Sequence, residues 1–392
     1  MKIESLTVRE LEIPFKAAFS HASAARAGTQ AVWVEVRSSD GVTGHGEGCP
    51  RAYVTGESVV SAQAFIEAHR GEWRKSICDI ATLVQWVAGN QKLIDRNPAA
   101  WCAVELALLD AMGKAQGKPL EELLDVPPLS GRFQYTAVLG DAAPQVFAAQ
   151  LERYLKAGFR DFKMKLSADA TREREKARLL REAGLTTNNV RADANNLWAD
   201  ANEAIRALDA SGFRFHAIEE PLRAGDHAGM HRIAHALDTH IILDESLAAL
   251  DQLEAFAEDA AHWIINLRVS KMGGVVRSLA LVDEARRRGF KLIIGAHVGE
   301  TSVLTRAALT VARAARDIVI AQEGAFGTHL LTHDVVEPPL MFGAGGMLES
   351  GNHFASMPGL GLVIERSALN PKQKELAPAL CALNGANVSI QP

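Results

Sequence analysis

The order of apolar and polar residues changes character about a third of the way along the chain. In the first third, "ESLTVRELEIPF" and "TQAVWVEVRSSDGVTGHGEG" alternate with the period of a β-strand, and Asp40 and Gly41 form a good hairpin-turn pair. Helical periodicity follows in "ESVVSAQAFIEAHRGEW" and "AAWCAVELALLDAMGKAQG", and Gly117 ends the second stretch as a C-cap would. We therefore predict an α+β unit in which strands precede helices.

Beyond "DVPPLSGR" the chain becomes a series of short apolar runs separated by helical segments, which is typical of a parallel α/β sheet. The eight runs are "QYTAVLG", "DFKMKL", "NVRADAN", "FHAIEEP", "IILDES", "WIINLR", "LIIGAH" and "IVIAQE". From the second run onward, reference positions near their ends lie 24 to 30 residues apart, the length of one βα unit. Eight such units that close on themselves form a (β/α)₈ barrel of the TIM type, which fits better than a doubly wound open sheet.

The length of 392 residues exceeds the usual size of one hydrophobic core, so more than one domain is expected. We predict an α+β capping domain over residues 1–128 and a barrel over residues 129–350. The last segment, residues 351–392, contains "HFASMPGLGLVIERSAL" and returns to loop and strand patterns. We expect this segment to pack back on the capping domain and complete it.

Composition narrows the functional class. With 48% hydrophobic and 23% charged residues and a net charge of -5, the chain is typical of an enzyme-sized globular protein and has no bulk attraction for nucleic acid. The four cysteines show no CxxC spacing, which argues against a zinc knuckle or a disulfide framework. "MKIESLTVRE" lacks the order of a signal peptide, and no apolar run approaches the ~18 residues of a membrane span. We expect a cytoplasmic protein without nucleic-acid or membrane partners.

Three carboxylates interrupt apolar runs near the ends of consecutive predicted strands: Asp193 in "VRADAN", Glu219 in "AIEEP" and Asp244 in "ILDES". In a barrel, the carboxyl ends of the strands face a common mouth where catalysis occurs. Three bare carboxylates there would repel one another strongly. A divalent cation relieves this repulsion, and an all-oxygen ligand set with open positions favours Mg²⁺ over zinc.

Two lysines, Lys163 and Lys165, lie two residues apart in the preceding run, "DFKMKL". Side chains alternate along a strand, so both ammonium groups point to the same face, towards the predicted cation. Two like charges on one face lower the pKa of both groups. A lysine beside another cation and a metal can have a pKa near ~7–8, where it accepts a proton at working pH.

In combination these residues resemble the enolase superfamily, and within it the branch of muconate lactonizing enzyme and mandelate racemase. The likeness covers nearly the whole chain, and its ordered motifs are the KxK of Lys163 and Lys165, "RADAN", "IEEP", "LDES", "NLRVSKMGG" and "PGLGL". The resemblance implies a modified barrel under the capping domain, Mg²⁺ on the three carboxylates, a small carboxylate substrate and a homo-oligomer. It also implies an enzyme that removes the proton α to a carboxylate to give an enediolate, with Lys165 as the base and Lys163 holding the carboxylate.

One position departs from the family pattern. Arg268 stands where this branch usually has a second catalytic lysine, and a guanidinium stays protonated at any relevant pH. We therefore expect Arg268 to act electrostatically or to bind a carboxylate. Its presence favours dehydration or cycloisomerisation, which need one base, over racemisation by a pair of lysines. Lys271, three residues further on, is expected to point elsewhere.

Because of His297, an epimerase or racemase is the alternative function. His297 ends the seventh run, where a mandelate-racemase-like relative carries a catalytic histidine, and it could act on the face opposite Lys165. Beside Arg268, its pKa should be lowered. Glu300 and Glu323 are candidate substrate-contacting acids. A barrel that binds a carboxylate without turnover is the alternative of another class, but clustered carboxylates and lysines are costly to keep in an inert scaffold.

Loops of the capping domain are expected to select the substrate. "FSHASAARAG" and "PRAYVTGES" supply His21, Arg26, Arg51 and Tyr53 as candidates to contact its distal end. Two other patterns are set aside. His227, His231 and His235 share one helix face with metal-binding spacing, but that helix lies outside the barrel and its own face has no acidic partner. "GHGEG" lacks the helix that a phosphate-binding loop requires.

Overall fold

The computed structural model describes residues 1–21 and 24–369, and the side chains of residues 17–25 are outside the described part. The N-terminal third forms the predicted strands and helices. Its strands are β1 (Ile3–Leu11), β2 (Pro14–His21), β3 (Ala24–Gly28), β4 (Ala31–Ser38) and β5 (Thr43–Gly48). Its helices are α1 (Val59–Ser76), α2 (Ile80–Gly89), α3 (Gln91–Asp95), α4 (Pro98–Gln116) and α5 (Leu120–Leu123). β1, β4 and β5 form an antiparallel sheet, and β2 pairs with β3.

Glycines along β5 explain the "GHGEG" sequence. Alternate residues of a strand face the same side, and Gly44, Gly46 and Gly48 all face the backbone of α4. A Cβ added at Gly46 would lie 2.0 Å from the carbonyl oxygen of Ala103. The repeat therefore allows the closest approach of the buried helix to the sheet and has no phosphate-binding role.

Replacing Gly46 with Ala is expected to destabilise the protein by about 3 kcal/mol, because the methyl group meets backbone atoms that cannot rotate away. Gly71→Ala is the matched control, since Gly71 lies within α1 and a Cβ there meets no atom within 4 Å. Urea unfolding curves of the two variants would measure the difference. Equal midpoints would contradict the packing argument.

All eight predicted apolar runs form strands of one parallel sheet. After the short β6 (Arg132–Gln134), the sheet contains β7 (Ala137–Leu139), β8 (Phe162–Lys165), β9 (Val190–Asp193), β10 (Ala217–Glu219), β11 (His240–Leu243), β12 (Trp263–Leu267), β13 (Lys291–Ile294) and β14 (Val319–Gln322). Each strand pairs with its neighbour in sequence order. A bridge between Tyr135 and Gln322 joins the two ends, so the sheet curls into a barrel. β15 (Met347–Glu349) pairs with β6 outside it.

Helices cover the outside of this sheet and connect its strands. They are α6 (Pro144–Lys156), α7 (Ala170–Glu182), α8 (Ala201–Ser211), α9 (His227–Leu237), the short α10 (Val269–Met272), α11 (Val275–Arg288) and α12 (Ser302–Ala314). The expectation of one α-helix in every connection is wrong at β11, which is followed by the 3₁₀ segment Leu250–His262. The predicted fold class, a modified (β/α)₈-type barrel with an N-terminal α+β capping domain, is confirmed.

The barrel interior has an apolar floor beneath polar residues. Ala217, Ile242, Ile264, Ile293 and Ala321 form a small buried cluster separate from the main core. Because side chains alternate, the next inward position on β10 beyond Ala217 is Glu219, at the carboxyl end of that strand. The charged residues therefore collect above a dry floor, at the end of the barrel where such folds place their chemistry.

A buried salt bridge ties the barrel to the capping domain and to the C-terminal segment. Arg306 of α12 donates to both carboxylate oxygens of Glu121, at 2.8 and 2.9 Å, and to the carbonyl of Leu360 at 2.8 Å. The backbone N–H of Leu360 donates to Asp110 of α4 at 2.9 Å. Residues 370–392 of the predicted return segment lie outside the described residues, and the two boundaries between the three predicted segments stay predictions. No helix in the described parts of the chain is both long and apolar enough to cross a membrane.

Candidate active site at the carboxyl ends of the barrel strands

The sheet register places the predicted site residues side by side. Lys165 pairs with Asp193, and Asp193 pairs with Glu219, across β8, β9 and β10. Asp244 is the first residue after β11. All three carboxylates are buried. Parallel strands bring their carboxyl ends to one edge, which is why residues 25 to 28 positions apart in sequence become neighbours.

Lys163 lies at the centre of the group, with 5% of its side chain exposed. Its Nζ lies 3.1 Å from Asp193 Oδ2 and 2.9 Å from Glu323 Oε2, and it forms an ion pair with Glu219. Burial would lower the pKa of Lys163, but the charges of Asp193, Glu219 and Glu323 outweigh this and raise it well above its usual value. The expectation that pairing two lysines lowers the pKa of both is wrong for Lys163, because three carboxylates face it.

Lys165 reaches closer to the opening, and 18% of its side chain is exposed. Its Nζ lies 2.6 Å from Asp193 Oδ2 and 2.8 Å from Asn195 Oδ1. The backbone of Asn195 has a positive φ of 47°, and its N–H donates to Asp193 Oδ1 at 3.1 Å. Sequence reasoning missed Asn195, although its place in "RADAN", two residues after a predicted ligand, is the signal that could have identified it.

The three carboxylates differ in the direction of their pKa shifts. Burial raises the pKa of Glu219 to about 8, and the charge of Asp193 adds to this rise. Burial would also raise the pKa values of Asp193 and Asp244, but nearby cations outweigh it: Lys163 and Lys165 for the first, Arg268 and Lys271 for the second. Both aspartates are therefore held ionised, whereas the pKa of Glu219 lies above its usual value unless a further cation compensates it.

Arg268 faces this group from the other side of the barrel. β12, which it follows, is separated from β8 by three strands in the closed sheet, so Arg268 and Lys165 lie on opposite walls. Its Nη2 forms a short charged hydrogen bond with Asp244 and lies 3.8 Å from Glu219 Oε1. Burial would lower the pKa of Arg268, but Asp244 and Glu219 outweigh it and raise it further. The guanidinium is a fixed positive charge.

His297 is buried beside Arg268. A guanidinium has no acceptor atom, so the contact of 3.2 Å between Arg268 Nη1 and His297 Nδ1 makes Nδ1 the acceptor. Burial, followed by the charges of Arg268 and Arg51, lowers the pKa of His297 well below its usual value. The neutral ring therefore carries its proton on Nε2, which has no hydrogen-bond partner in the described residues. The predicted lowering of this pKa is confirmed.

Supporting residues hold the end of β11 in place. Lys271 donates to Asp244 Oδ1 at 3.1 Å and to the backbone carbonyls of Asp244 and Asn266 at 2.8 Å, so its ammonium group holds Asp244 in place. Glu220 accepts the backbone N–H groups of Asp244 and Ser246 at 2.7 and 2.8 Å. Asn266 donates to Glu219 Oε1 at 3.2 Å. Sequence reasoning missed Glu220 and Asn266. For Asn266, the available signal was a polar residue inside the apolar run "WIINLR".

Two of the capping-domain candidates approach the same opening. The Arg26 guanidinium lies 5.8 Å from the centre of the Tyr53 ring. The charge of Arg26 contributes to the lowered pKa of His297, and Tyr53 is among the groups that interact electrostatically with Arg268, so both lie near the wall that carries Arg268 and His297. The side chain of His21 lies outside the described residues.

Arg51 has a different place from the one expected. It is fully buried and donates to four backbone carbonyls, those of Thr29, Gln30, Pro50 and Val298, at 2.7 to 3.0 Å. Because Val298 belongs to the barrel and the other three to the capping domain, Arg51 fastens one to the other. Four of the hydrogen bonds that its guanidinium can donate are used in this connection.

Glu300 lies in the loop between β13 and α12, and Glu323 directly follows β14. Glu300 Oε1 accepts the backbone N–H of His297 at 2.7 Å, and burial raises the pKa of Glu300 to about 8. Glu323 pairs with Lys163, and its Oε1 accepts no hydrogen bond from the described residues. Both acids therefore orient other residues of the site. Glu300 holds the backbone of His297, and Glu323 holds the ammonium group of Lys163.

Glu47 of β5 joins the capping domain to α12. Its carboxylate accepts the backbone N–H of Thr301 at 3.0 Å and its hydroxyl at 2.6 Å, at the N-terminus of the helix that follows His297. Burial raises the pKa of Glu47 to about 7, although the hydrogen bonds from Thr301 oppose the rise. This acid therefore titrates in the neutral range.

Replacing Glu47 with Gln is expected to change the pH dependence of stability. The folded pKa is about 7 and the unfolded value 4.5, so the favourable contribution is complete below pH 4.5 and is lost as the pH rises through 7. From pH 5 to pH 8, the unfolding free energy of the wild type should fall relative to that of E47Q by roughly 2–3 kcal/mol. Denaturant curves over this range measure the difference, and parallel profiles would contradict it.

Comparison with known proteins shows the same two-part arrangement. The chain matches the mandelate racemase / muconate lactonizing enzyme N-terminal domain over residues 2–125 and an enolase C-terminal domain-like model over residues 146–368. Muconate cycloisomerase 1 of Pseudomonas putida is 30% identical over 86% of this chain and 89% of its own. L-Ala-D/L-Glu epimerase of Bacillus subtilis is 28% identical over 96% and 100%. The crystal structure of a dipeptide epimerase from Methylococcus capsulatus with a Mg ion superimposes with a TM-score of 0.77, at 28% identity over 93% and 100%.

Proposed function

This chain belongs to the enolase superfamily, in its mandelate racemase / muconate lactonizing enzyme branch, and on that premise we propose which of its residues perform the chemistry. It is an enzyme, a lyase or isomerase that acts by removing the proton α to a carboxylate. The alternative of a barrel without turnover is therefore dropped. What has to be assigned is the metal site, the base and the reaction that follows proton removal.

The residues present fit Mg²⁺, the ion used in this superfamily. Asp193, Glu219 and Asp244 form an all-oxygen set at one end of the barrel, which is the kind that a hard cation prefers. Glu219 Oε2 is buried and, in the described residues, accepts no hydrogen bond beyond its ion pair with Lys163. When bound there, Mg²⁺ would stabilise negative charge on the substrate's carboxylate oxygens and would offset the repulsion among its three ligands.

Lys165 is the base in this proposal. It is the more exposed lysine of the pair and is oriented by Asp193 and Asn195. Its neutral amine takes the α-proton, the electrons of the broken C–H bond move into the carboxylate, and an enediolate results. Lys163 stays protonated, as its raised pKa requires, and supplies a fixed charge for the carboxylate oxygens.

The wall opposite Lys165 supports the choice of reaction class, and one observation carries the proposal: Arg268 is held between Asp244 and His297. Arg268 cannot take a proton, and His297 uses Nδ1 to accept from it, which leaves an N–H donor at Nε2. The site therefore holds one base, on the Lys165 side. One-base chemistry favours dehydration or cycloisomerisation of a small carboxylate, with the Arg268 charge facing the planar intermediate.

Epimerisation is the second candidate, favoured by the likeness to L-Ala-D/L-Glu epimerase. It would require the His297 ring to exchange tautomers so that Nε2 accepts a proton. We infer that Arg26 and Tyr53, which contact each other, meet the distal end of a substrate, and a basic residue there suits an acidic or zwitterionic molecule. Cytoplasmic location, a homo-oligomer and the two boundaries between the three predicted segments are kept as proposals on the same family premise.

Solvent-deuterium incorporation, followed by NMR with Mg²⁺, tests the proposal directly. Both enantiomers of acid sugars, N-acyl amino acids, dipeptides, hydroxyprolines and lactones would be supplied. Exchange or elimination confined to one enantiomer is the expected result. Exchange of both enantiomers with inversion would overturn the one-base assignment and make His297 the second base.

A further inference from the structure

A second group of possible metal ligands lies on the outside of the barrel. His231 and His235 are one turn apart on α9, and Asp259 comes from the 3₁₀ segment that follows β11. Asp259 Oδ2 lies 2.8 Å from His231 Nε2 and 3.0 Å from His235 Nε2. The two Nε2 atoms are themselves 3.0 Å apart. Three ligand atoms from two elements therefore form one small triangle.

Hydrogen bonds alone do not satisfy this triangle. Each Nε2 has either one proton or one lone pair, and two protons given to Asp259 would leave two N–H groups facing each other across 3.0 Å. The sides of the triangle match the spacing of ligands around a transition metal. Ligands at ~2.0–2.1 Å from zinc are about 3.3 Å apart in a tetrahedron and about 2.9 Å apart at right angles.

The surroundings orient the carboxylate. His262 Nδ1 lies 2.8 Å from the other oxygen of Asp259, Oδ1, which turns Oδ2 towards the two histidines on α9. Supporting contacts of this kind fix the geometry of ligands in metal sites. The sequence predicted no acidic partner for these histidines. This is true within α9 but wrong for the folded protein, because Asp259 approaches from another element. His227 does not join the group, since its ring packs on Phe256 with centroids 4.3 Å apart.

We infer that His231, His235 and Asp259 form a binding site for a borderline divalent cation of the Zn²⁺ class, separate from the carboxylate site in the barrel. Imidazole nitrogen selects such ions over Mg²⁺, whereas the barrel site offers oxygen only. About half of each α9 histidine is exposed, 44% for His231 and 51% for His235, so a hydrated ion can reach them. The bound ion would clamp α9 to the 3₁₀ segment.

Isothermal titration calorimetry tests this inference. Zn²⁺ is titrated into tag-free protein, and the buffer contains excess Mg²⁺ to occupy the barrel site. One Zn²⁺ per chain with micromolar affinity is expected. H231Q, H235Q and D259N should each weaken binding by at least 10-fold. H353Q is the matched control, because His353 is an exposed histidine in another part of the chain, and it should bind Zn²⁺ as the wild type does.

Circular dichroism of each variant establishes folding, and the half-exposed His235 provides the substitution least able to disturb it. The inference is overturned if the wild type takes up no Zn²⁺ at millimolar concentration, or if H235Q and D259N keep wild-type affinity. Zn²⁺ uptake that disappears only in D193N would assign the ion to the barrel and would also overturn it. Deuterium exchange with Mg²⁺ should be unchanged in H235Q, which separates this test from that of the proposed function.

Discussion

Replacing Lys165 with Met is expected to lower the rate of α-proton exchange at least about 10³-fold, because the variant has no group on that wall able to accept the proton. The amine lies 2.6 Å from Asp193 and 2.8 Å from Asn195, which aim it and do not substitute for it. Met keeps nearly the same length and volume, so the barrel should fold. Solvent-deuterium incorporation by NMR measures the rate, and circular dichroism checks the fold.

Lys165→Arg separates the charge of this residue from its basicity. Arginine keeps the positive charge beside Asp193 but stays protonated, so this variant should be nearly as inactive as K165M. Lys156→Met is the matched control, since Lys156 is 75% exposed on α6 and pairs only with the neighbouring Glu152 among the described residues. If K165R kept more than a tenth of the wild-type rate, Lys165 would act through its charge alone and the base would have to be sought elsewhere.

Replacing Arg268 with Met is expected to reduce kcat/KM by about 10²–10³-fold. The guanidinium is bonded to Asp244, lies 3.8 Å from Glu219 and donates to His297 at 3.2 Å. Its removal leaves buried carboxylates with less compensating charge and frees His297 Nδ1 to accept a proton. Steady-state kinetics on the substrate identified by the exchange panel gives the magnitude.

Arg268→Lys tests the meaning of this position for stereochemistry. A lysine keeps the positive charge but can lose its proton, so R268K should begin to exchange the enantiomer that the wild type leaves unchanged. The wild type is the reference for single-enantiomer exchange, and R268M is the reference for a site without a charge at this position. If the wild type already exchanged both enantiomers, and R268M lost neither, the one-base proposal would be contradicted and Arg268 would have no part in the stereochemical course.

Sequence reasoning predicted most of the barrel because the evidence is local. Each of the eight strands is a short apolar run, and each run ends near a reference residue one βα unit after the last. Charged residues that interrupt apolar runs, such as Asp193 and Glu219, are costly to bury and therefore indicate a functional site. Parallel strands then require that their carboxyl ends meet. Residue types and spacing were therefore enough to bring Lys165, Asp193 and Glu219 together.

Features that depend on contacts between distant segments were not predictable in this way. The sequence predicts Arg51 to be a loop residue that contacts the substrate. In the structure, it joins the capping domain to the barrel through hydrogen bonds to four carbonyls. Lys163 reads as half of a repelling pair, yet the carboxylate from β14 helps to raise its pKa. Asp259 reads as one acid in a polar stretch, yet it meets two histidines from a preceding helix.

The sequence by itself determined the fold class, the order of the strands and the identity of the charged residues at their ends, because period and spacing are properties of neighbouring residues along one chain. Only the tertiary structure decided which charges compensate one another. The pKa of Glu219 and the tautomer of His297 depend on burial and on side chains more than 20 residues away. Electrostatic energies depend on distance in space and on exclusion of water, and the folded barrel sets both.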